Sequence, residues 1–291
     1  MYDILFSMHF IAICAFLVFS SEVSAALTSD NYGIPRKIWQ TYRTKDLPRP
    51  AKEASASWIR ENPHYEYHFM DDVDIENYIS SNWDSNTYAF FKALPIGVMK
   101  ADLWRYLVIA DQGGIYADID TVCCLPIDYW MIFLGSLNKM KGGKPLLFLG
   151  IEEDTDKEII DFCQWTFMAT PRHPALIFAC KYIVDHWQKN GIDFSSKQMV
   201  HLTTGPTILK YALMTYFGEP LSQRASDFYK RYLADKDLRK KINDLGVYLV
   251  SEVFYHGFTS VHLVASTRFK EGYISWTEEV KAMQTHQQVE K

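Results

Sequence analysis

The stretch from Ile96 to Val122, IGVMKADLWRYLVIADQGGIYADIDTV, constrains the fold more than any other part of the chain. Its first half has helical periodicity, and the glycine pair Gly113-Gly114 stops that helix. The second half, GIYADIDTV, alternates as a strand does. On that reading Asp118 and Asp120 point to one side, while Ile115, Ala117 and Ile119 point to the other. Two like charges on one half-buried face repel, and burying them unpaired is costly. A cation, a solvent edge or a phosphoryl group under attack would each answer that repulsion.

The rest of the chain repeats the alternation of strand and helix. Arg36–Tyr42 (RKIWQTY) reads as a first strand, followed by a proline-bounded helix, PAKEASASWIRE. YEYHFMDD reads as a second strand, with Asp71 or Asp72 capping the helix DVDIENYISSN. Beyond the aspartates, KPLLFLGIE and DFCQWTFMA read as strands, and HPALIFACKYIVDHWQKNG as an amphipathic helix ending at Gly191. TGPTILKYALMTYFG is a further helix, SDFYKRYLADKDLRKKINDLG a charged helical stretch, and VYLVSEVFY and VHLVAS two closing strands. This order predicts an α/β sheet with helices on both faces, whose ligands collect at the carboxyl ends of the strands.

At 291 residues and 48% hydrophobic content, the chain can bury a large core. A net charge of −5 without a Lys/Arg-rich cluster argues against nucleic acid as a partner. Ile4–Phe19 is an apolar run of sixteen residues followed by SSEVSAA, a small-residue cleavage pattern before Ala26. Sixteen falls short of the roughly 20 residues that span a bilayer comfortably, and the early positive charge of a signal peptide is missing. Residues 1–25 therefore read as a signal peptide ahead of an uncleaved membrane anchor, with a buried core helix as a third alternative. Either leading reading sends residues 26–291, a single domain, into the secretory pathway, in the Golgi or ER lumen. Any contact with a membrane would then be made by the leader. Its removal takes away Asp3 and Glu22 and moves the net charge from −5 to −3. Cys123, Cys124, Cys163 and Cys180 remain, without zinc-type spacing; one of the adjacent pair bridged to Cys163, or free buried thiols, both fit.

In the helix before the aspartates, Asp102 and Arg105 stand i, i+3 on one face. Such a pair usually makes a solvated salt bridge. Here it lies one turn from the aspartate pair, where a carboxylate and a guanidinium suit sugar hydroxyls that both donate and accept. The aspartates suit a divalent cation with a taste for oxygen, Mn²⁺ or Mg²⁺, which in turn would neutralise a departing diphosphate. Together these parts fit transfer of a sugar from a nucleotide diphosphate.

The segment KADLWRYLVIADQGGIYADIDTVCCLPID resembles the DXD core of family 32 glycosyltransferases, of which fungal outer-chain α-1,6-mannosyltransferases are well-known members. The likeness extends to IPRKIWQTY, SWIRENPHYEYHFMDD, DFCQWTFMATPRHPAL and TTGPTIL, in the family's order over roughly residues 34 to 210. The resemblance implies a GT-A-type sheet flanked by helices, with additional C-terminal helices and strands, a retaining reaction and an Mn²⁺-type cofactor. Carried over by position, Asp120 would bind the metal directly, and Asp118 would reach the ribose and the metal's water shell. Asp102 and Arg105 would hold donor sugar hydroxyls. Trp39 would pack on the nucleotide base, or else be a core tryptophan. In FCQWT, Gln164 or Trp165 would approach the sugar's reactive carbon, or else form a core strand edge. His262 would complete the metal site, but Ser266, Thr267 and Arg268 stand where the family has a G-S/T-W-like turn.

The branch resembled implies GDP-mannose as donor and a glycan or glycolipid as acceptor. UDP-galactose and UDP-N-acetylglucosamine are the donors of related members. A rival enzyme reading takes DIDTV as the start of a haloacid-dehalogenase-type phosphatase with Asp118 as nucleophile. That motif normally ends the first strand of its domain, whereas here at least two strands and several helices precede it. The altered turn after His262 is the one feature favouring a non-catalytic nucleotide-sugar or glycan-binding relative.

Overall fold

The computed structural model describes residues 33–138, 144–153, 160–196, 198–222, 225–250 and 260–262. The leader at residues 1–25 and the segment Ser266–Arg268 lie outside the described residues. Strands β1 (Lys37–Thr41), β2 (Glu66–Met70) and β3 (Gly114–Ala117) pair in parallel in the order β2-β1-β3. Strand β7 (Thr166–Ala169) then runs antiparallel between β3 and β5 (Leu147–Glu153), and β8 (Val247–Val250) pairs in parallel with β5. The short β6 (Ile160–Phe162) also lies antiparallel to β5. β1, β2, β3, β5 and β8 therefore share one direction, and their carboxyl ends meet the amino end of β7 along a single edge. A separate two-stranded ribbon joins β4 (Thr121–Cys123) to β9 (Ser260–His262).

Helices cover both faces, as the alternation of elements predicts. Helices α1 (Arg49–Glu61) and α5 (Ile127–Asn138) pack on one face, through Trp58, Trp130, Met131 and Leu134 against Ile38, Ile115, Phe148 and Met168. On the other lie α2 (Asp72–Asn82), α3 (Ser85–Ala93), α4 (Gly97–Gln112) and α6 (Pro174–Asn190). The same layer holds α7 (Met199–Thr203), α8 (Pro206–Phe217), α9 (Ala225–Ala234) and α10 (Lys236–Asp244). Helix α4 is buried almost all round because it is wedged between the sheet and the outer helices, so its amphipathic stripe is weak. Asp71, rather than Asp72, caps α2. Its carboxylate accepts from the backbone N–H groups of Val73 and Asp74, and Asp74 reaches back to the Asp71 N–H.

The glycine pair does what the sequence predicts. Gly113 closes α4 at φ 65° and Gly114 opens β3 at φ 95°. A Cβ would lie 2.6 Å from the Pro171 backbone nitrogen at the first and 2.6 Å from the Lys37 carbonyl oxygen at the second. Both positions need glycine for conformation and for space.

Four expectations need correction. The strand from Gly114 to Val122 is broken: β3 ends at Ala117, and Ile119-Asp120 form a turn before β4. The alternation argument for the two carboxylates therefore fails beyond Asp118. Ile119 imitated strand periodicity because it fills a small apolar pocket of its own with Tyr42, Leu47, Ala51 and Phe69. DFCQWTFMA is likewise two strands, β6 and β7, separated at Cys163–Trp165. Ile151 faces Phe162, whereas Phe148 faces Met168, so three extra residues bulge from this side of the ladder. The charged stretch after residue 224 is two helices, divided at Asp235, whose side chain caps the second. Helices α3, α5 and α7 have no counterpart in the sequence reading. Cys123, Cys124, Cys163 and Cys180 are all free thiols. The buried Cys123 and Cys163 donate instead to the carbonyls of Leu125 (3.2 Å) and Thr166 (3.6 Å).

Candidate donor-binding site

The broken strand and the bulge lie side by side at the carboxyl edge of the sheet. The Asp118 N–H donates to the Trp165 carbonyl at 2.8 Å, which ties the end of β3 to the bulge. The Asp118 carbonyl accepts from Gln40 Nε2 (3.0 Å), Thr121 N (3.1 Å) and Thr121 Oγ1 (2.6 Å). Gln40 is wholly buried in β1 and accepts in turn from the Tyr67 hydroxyl at 2.8 Å. Every main-chain polar atom of Asp118 is thus held, and the turn carrying Asp118 and Asp120 is fixed from three elements. Helix α1 secures the next residues, since Trp58 Nε1 donates to the Thr121 carbonyl at 2.9 Å and Cys123 N to Ser57 Oγ at 2.8 Å.

Asp118 shares the face of Tyr116, two residues back, and that face looks onto α4. There Arg105 Nη2 lies 3.0 Å from Asp118 Oδ1 and 3.1 Å from Asp102 Oδ1, so one buried guanidinium joins both carboxylates. Its Cζ lies 4.8 Å from the centroid of the Tyr116 ring, whose hydroxyl donates to Asp118 Oδ1 at 2.6 Å. The bulge adds Gln164. Its Nε2 donates to Asp102 Oδ1 at 3.1 Å, its Oε1 accepts from the Tyr106 hydroxyl, and its carbonyl receives Arg105 Nη1 at 3.4 Å. The remaining oxygen of Asp102 accepts from Thr204 Oγ1 at 3.2 Å.

Burial falls along this chain of contacts. The side chain of Asp102 is 1% exposed and that of Arg105 4%, whereas Asp118 is 23% exposed and is the member that meets solvent. Burial, with the nearby Asp118 charge adding to it, lifts the Asp102 carboxyl to about 6, against the opposing pull of Arg105 and its hydrogen bonds. Burial disfavours the Arg105 charge, but Asp118, Tyr116 and Asp102 outweigh it and hold the guanidinium firmly protonated. Burial also pushes both phenols, Tyr106 and Tyr116, well above their ordinary range, so they act as hydrogen-bond donors.

The structure brings together Asp102, Arg105, Asp118 and Gln164 at one edge, and Asp120, 5% exposed, follows two residues on in the same turn. Trp39 is not with them. Its indole N–H donates to the Gly113 carbonyl at the start of β3, and its ring stacks on His68 at 4.2 Å and meets Trp104 edge-on. Trp165 turns into the core beside Ile115 and Trp130, leaving Gln164 as the bulge residue that faces the site. For His262 the described residues give only its strand, which pairs it with Thr121, the neighbour of Asp120.

Among the described residues no group of three or more His, Cys, Asp or Glu side chains converges as a metal cage. Two carboxylates on one pinned turn nevertheless match a cation that takes part of its shell from protein oxygens and the rest from water or substrate phosphate. Four contributors escaped the sequence reading: Gln40, Tyr106, Tyr116 and Thr204. Tyr106 is four residues after Asp102 and Tyr116 two before Asp118, so helix and strand spacing respectively placed them on the site's faces. An amide inside the apolar strand KIWQT was the available signal for Gln40.

Residues 48–134, which contain Asp102, Arg105, Asp118 and Asp120, match the family described as glycosyltransferase sugar-binding region containing DXD motif. Among its relatives, an initiation-specific α-1,6-mannosyltransferase of Schizosaccharomyces pombe is 33% identical over 201 residues, 64% of this chain and 49% of that protein. Inositol phosphoceramide mannosyltransferase 2 of the same organism is 25% identical over 210 residues, 71% of this chain and 54% of that protein. The chain thus spans about half the length of these curated relatives. A solved structure, PaToxG glycosyltransferase, is 18% identical with a TM-score of 0.46, over 78% of this chain and 87% of that one.

Proposed function

We propose that this chain is a retaining, metal-dependent glycosyltransferase that moves mannose from GDP-mannose to a hydroxyl of a glycan or glycolipid in the secretory pathway. The observation that carries the reading is the buried Asp102–Arg105–Asp118 chain of ion pairs, placed beside the Asp118–Asp120 turn at the sheet's carboxyl edge. An ordinary solvated face has no use for a guanidinium and a carboxylate that are both nearly inaccessible. A sugar pocket does, because it needs fixed donors and acceptors whose orientation is set before the ligand arrives. The buried Arg105 Nε–H has no acceptor among the described residues, which leaves one donor over for a ligand hydroxyl. The mannose comes from the names of both relatives and the glycolipid acceptor from the second, whereas the glycan acceptor rests on the resemblance alone.

In this reading Asp120 and Asp118 hold Mn²⁺ or Mg²⁺, with His262 as a further ligand, and the cation supplies positive charge against the departing diphosphate. Asp118, the exposed member, also reaches the ribose. Asp102 and Arg105 orient the sugar hydroxyls, and Gln164 stands beside the anomeric carbon. The acceptor oxygen bonds to that carbon as its bond to the phosphate oxygen breaks, on the same face. The acceptor's proton passes to the leaving phosphate oxygen, so no protein nucleophile is needed. The chain's contact with a membrane is confined to the apolar leader.

The test is release of nucleotide by the purified chain with Mn²⁺ and GDP-mannose, UDP-galactose or UDP-N-acetylglucosamine in turn, with the product anomer read by NMR. Turnover of GDP-mannose with retention is expected, and Asp120→Asn should lower it on the order of 10²-fold or more while the variant melts cooperatively. Turnover of a phosphate ester but of no nucleotide sugar would overturn the reading in favour of a phosphatase. Binding of donor without turnover would overturn it in favour of a non-catalytic relative.

A further inference from the structure

The TTGPTIL block lies outside the residues matched by the family model, and the proposed function gives it no part. Its geometry is tightly determined. Thr204 closes α7, its N–H bonded to the Val200 carbonyl at 3.1 Å, and the Gly205 N–H reaches the same carbonyl at 2.9 Å. A Cβ on Gly205 would lie 2.8 Å from His201 Cα, so the corner between α7 and α8 closes only around glycine. Pro206 then starts α8 at a position where no N–H is needed.

This corner aims two hydroxyls at two buried carboxylates. Thr204 Oγ1 donates to Asp102 Oδ2 at 3.2 Å, and Thr207 Oγ1 donates to Asp161 Oδ2 at 2.7 Å. Asp161 belongs to β6, and Lys210, one turn further along α8, lies 2.7 Å from its other oxygen. Two residues beyond Asp161 the ladder bulges and presents Gln164, which bonds to Asp102. One corner therefore grips both walls of the site: α4 through Asp102, and the root of the Gln164 bulge through Asp161. Asp102 is nearly inaccessible and has three partners among the described residues, of which Thr204 alone comes from outside α4 and the bulge.

We infer that Thr204 is a positioning residue for the sugar half of the donor, holding the Asp102 carboxylate in the orientation that receives sugar hydroxyls, while the nucleotide half is held independently of it. The inference rests on the donor reading above. A residue that acts only on Asp102 affects ligands that carry the sugar. Asp118 and Asp120, pinned by Gln40, Thr121 and the bulge's main chain, keep their hold on a bare nucleoside diphosphate.

The experiment titrates GDP and GDP-mannose, each with Mn²⁺, into the wild-type chain, Thr204→Val and Thr204→Ser by calorimetry, and follows melting of all three. Thr204→Val is expected to weaken GDP-mannose about tenfold, the scale of one hydrogen bond to a charged group, and to leave GDP unchanged. Thr204→Ser, which keeps the hydroxyl, should restore the wild-type ratio. Should Thr204→Val fail to fold, Thr204→Ala removes the same hydroxyl without branching at Cβ. Equal weakening of both ligands, no weakening of either, or a serine variant that behaves like valine overturns the inference and leaves the donor reading standing. A wild-type chain that binds neither ligand overturns both.

Discussion

Replacing Arg105 by methionine tests whether the site is held by one shared cation. Methionine matches the aliphatic length and removes the charge. In the native chain the guanidinium sits 3.1 Å from Asp102 and 3.0 Å from Asp118, and its side chain is 4% exposed. At an effective dielectric constant of about 20, each contact corresponds to roughly 5 kcal/mol of Coulomb attraction, most of it offset by desolvation. Stripping one partner from such a buried pair costs about 3–5 kcal/mol, because the remaining carboxylate has neither water nor a counter-charge. For a chain of this size that is a fall in melting temperature on the order of 10 °C.

The sign of the pH dependence comes from Asp102. Burial already lifts its carboxyl from an ordinary 3.8 to about 6. The native state therefore keeps a proton that the unfolded state has lost, and the group's contribution to stability declines as pH rises from about 4 to about 6. Without Arg105 the carboxyl rises further and the window of decline extends upward. The gap between Arg105→Met and wild type should therefore be largest near pH 8 and shrink toward pH 5. Asp102→Asn removes the uncompensated charge, so the double variant should recover about 2 kcal/mol or more of the loss relative to additivity. Thermal or urea unfolding of the four proteins at pH 5 and pH 8 measures all of this. A single variant within 1–2 °C of wild type at pH 8 (under about 1 kcal/mol), a gap that does not change with pH, or additive single and double variants would refute the shared-cation account.

Gln40→Leu is expected to cost about 1–3 kcal/mol, because it leaves the Tyr67 hydroxyl and one lone pair of the Asp118 carbonyl without their buried partner. It should also weaken Mn²⁺-dependent nucleotide binding, read by calorimetry, since the turn then loses one of its three anchors. Trp58→Phe removes the donor to the Thr121 carbonyl and opens space against Trp130. A loss of about 2–3 kcal/mol in urea unfolding is expected, and a loss under about 0.5 kcal/mol would show that α1 does not brace the ribbon.

Local patterns with a local cause were legible in the sequence. The end of α4 at Gly113 was readable because only glycine suits both the backbone angle and the approach of Pro171. Asp102 and Arg105 were readable as one face because helical spacing requires it. The grouping of five carboxyl ends along one edge followed from the strand–helix alternation. Thr204 was not legible in this sense. Its hydroxyl meets a carboxylate 102 positions earlier in the chain, and nothing in T-T-G-P indicates what the threonine faces. Helix α5 was missed because IDYWMIFLGSLN is short, almost wholly apolar and interrupted by glycine, so its periodicity is masked.

The two breaks in strand periodicity have one physical origin. GIYADIDTV and DFCQWTFMA are buried almost throughout, yet in both segments the backbone leaves the ladder, at Asp118 and at Cys163–Trp165. A side chain that stays in register with a sheet stands perpendicular to it and cannot reach over its edge. Asp118 meets Arg105 from the face it shares with Tyr116, and leaving the ladder lets Gln164 fold across to Asp102. The bond from the Asp118 N–H to the Trp165 carbonyl, next in register after Ala117 and Thr166, ties the two breaks together. The two irregularities therefore stabilise each other, and together they form the wall of the site. Restoring regular β structure at either one would strengthen the local ladder and withdraw a side chain from the Asp102–Arg105–Asp118 chain.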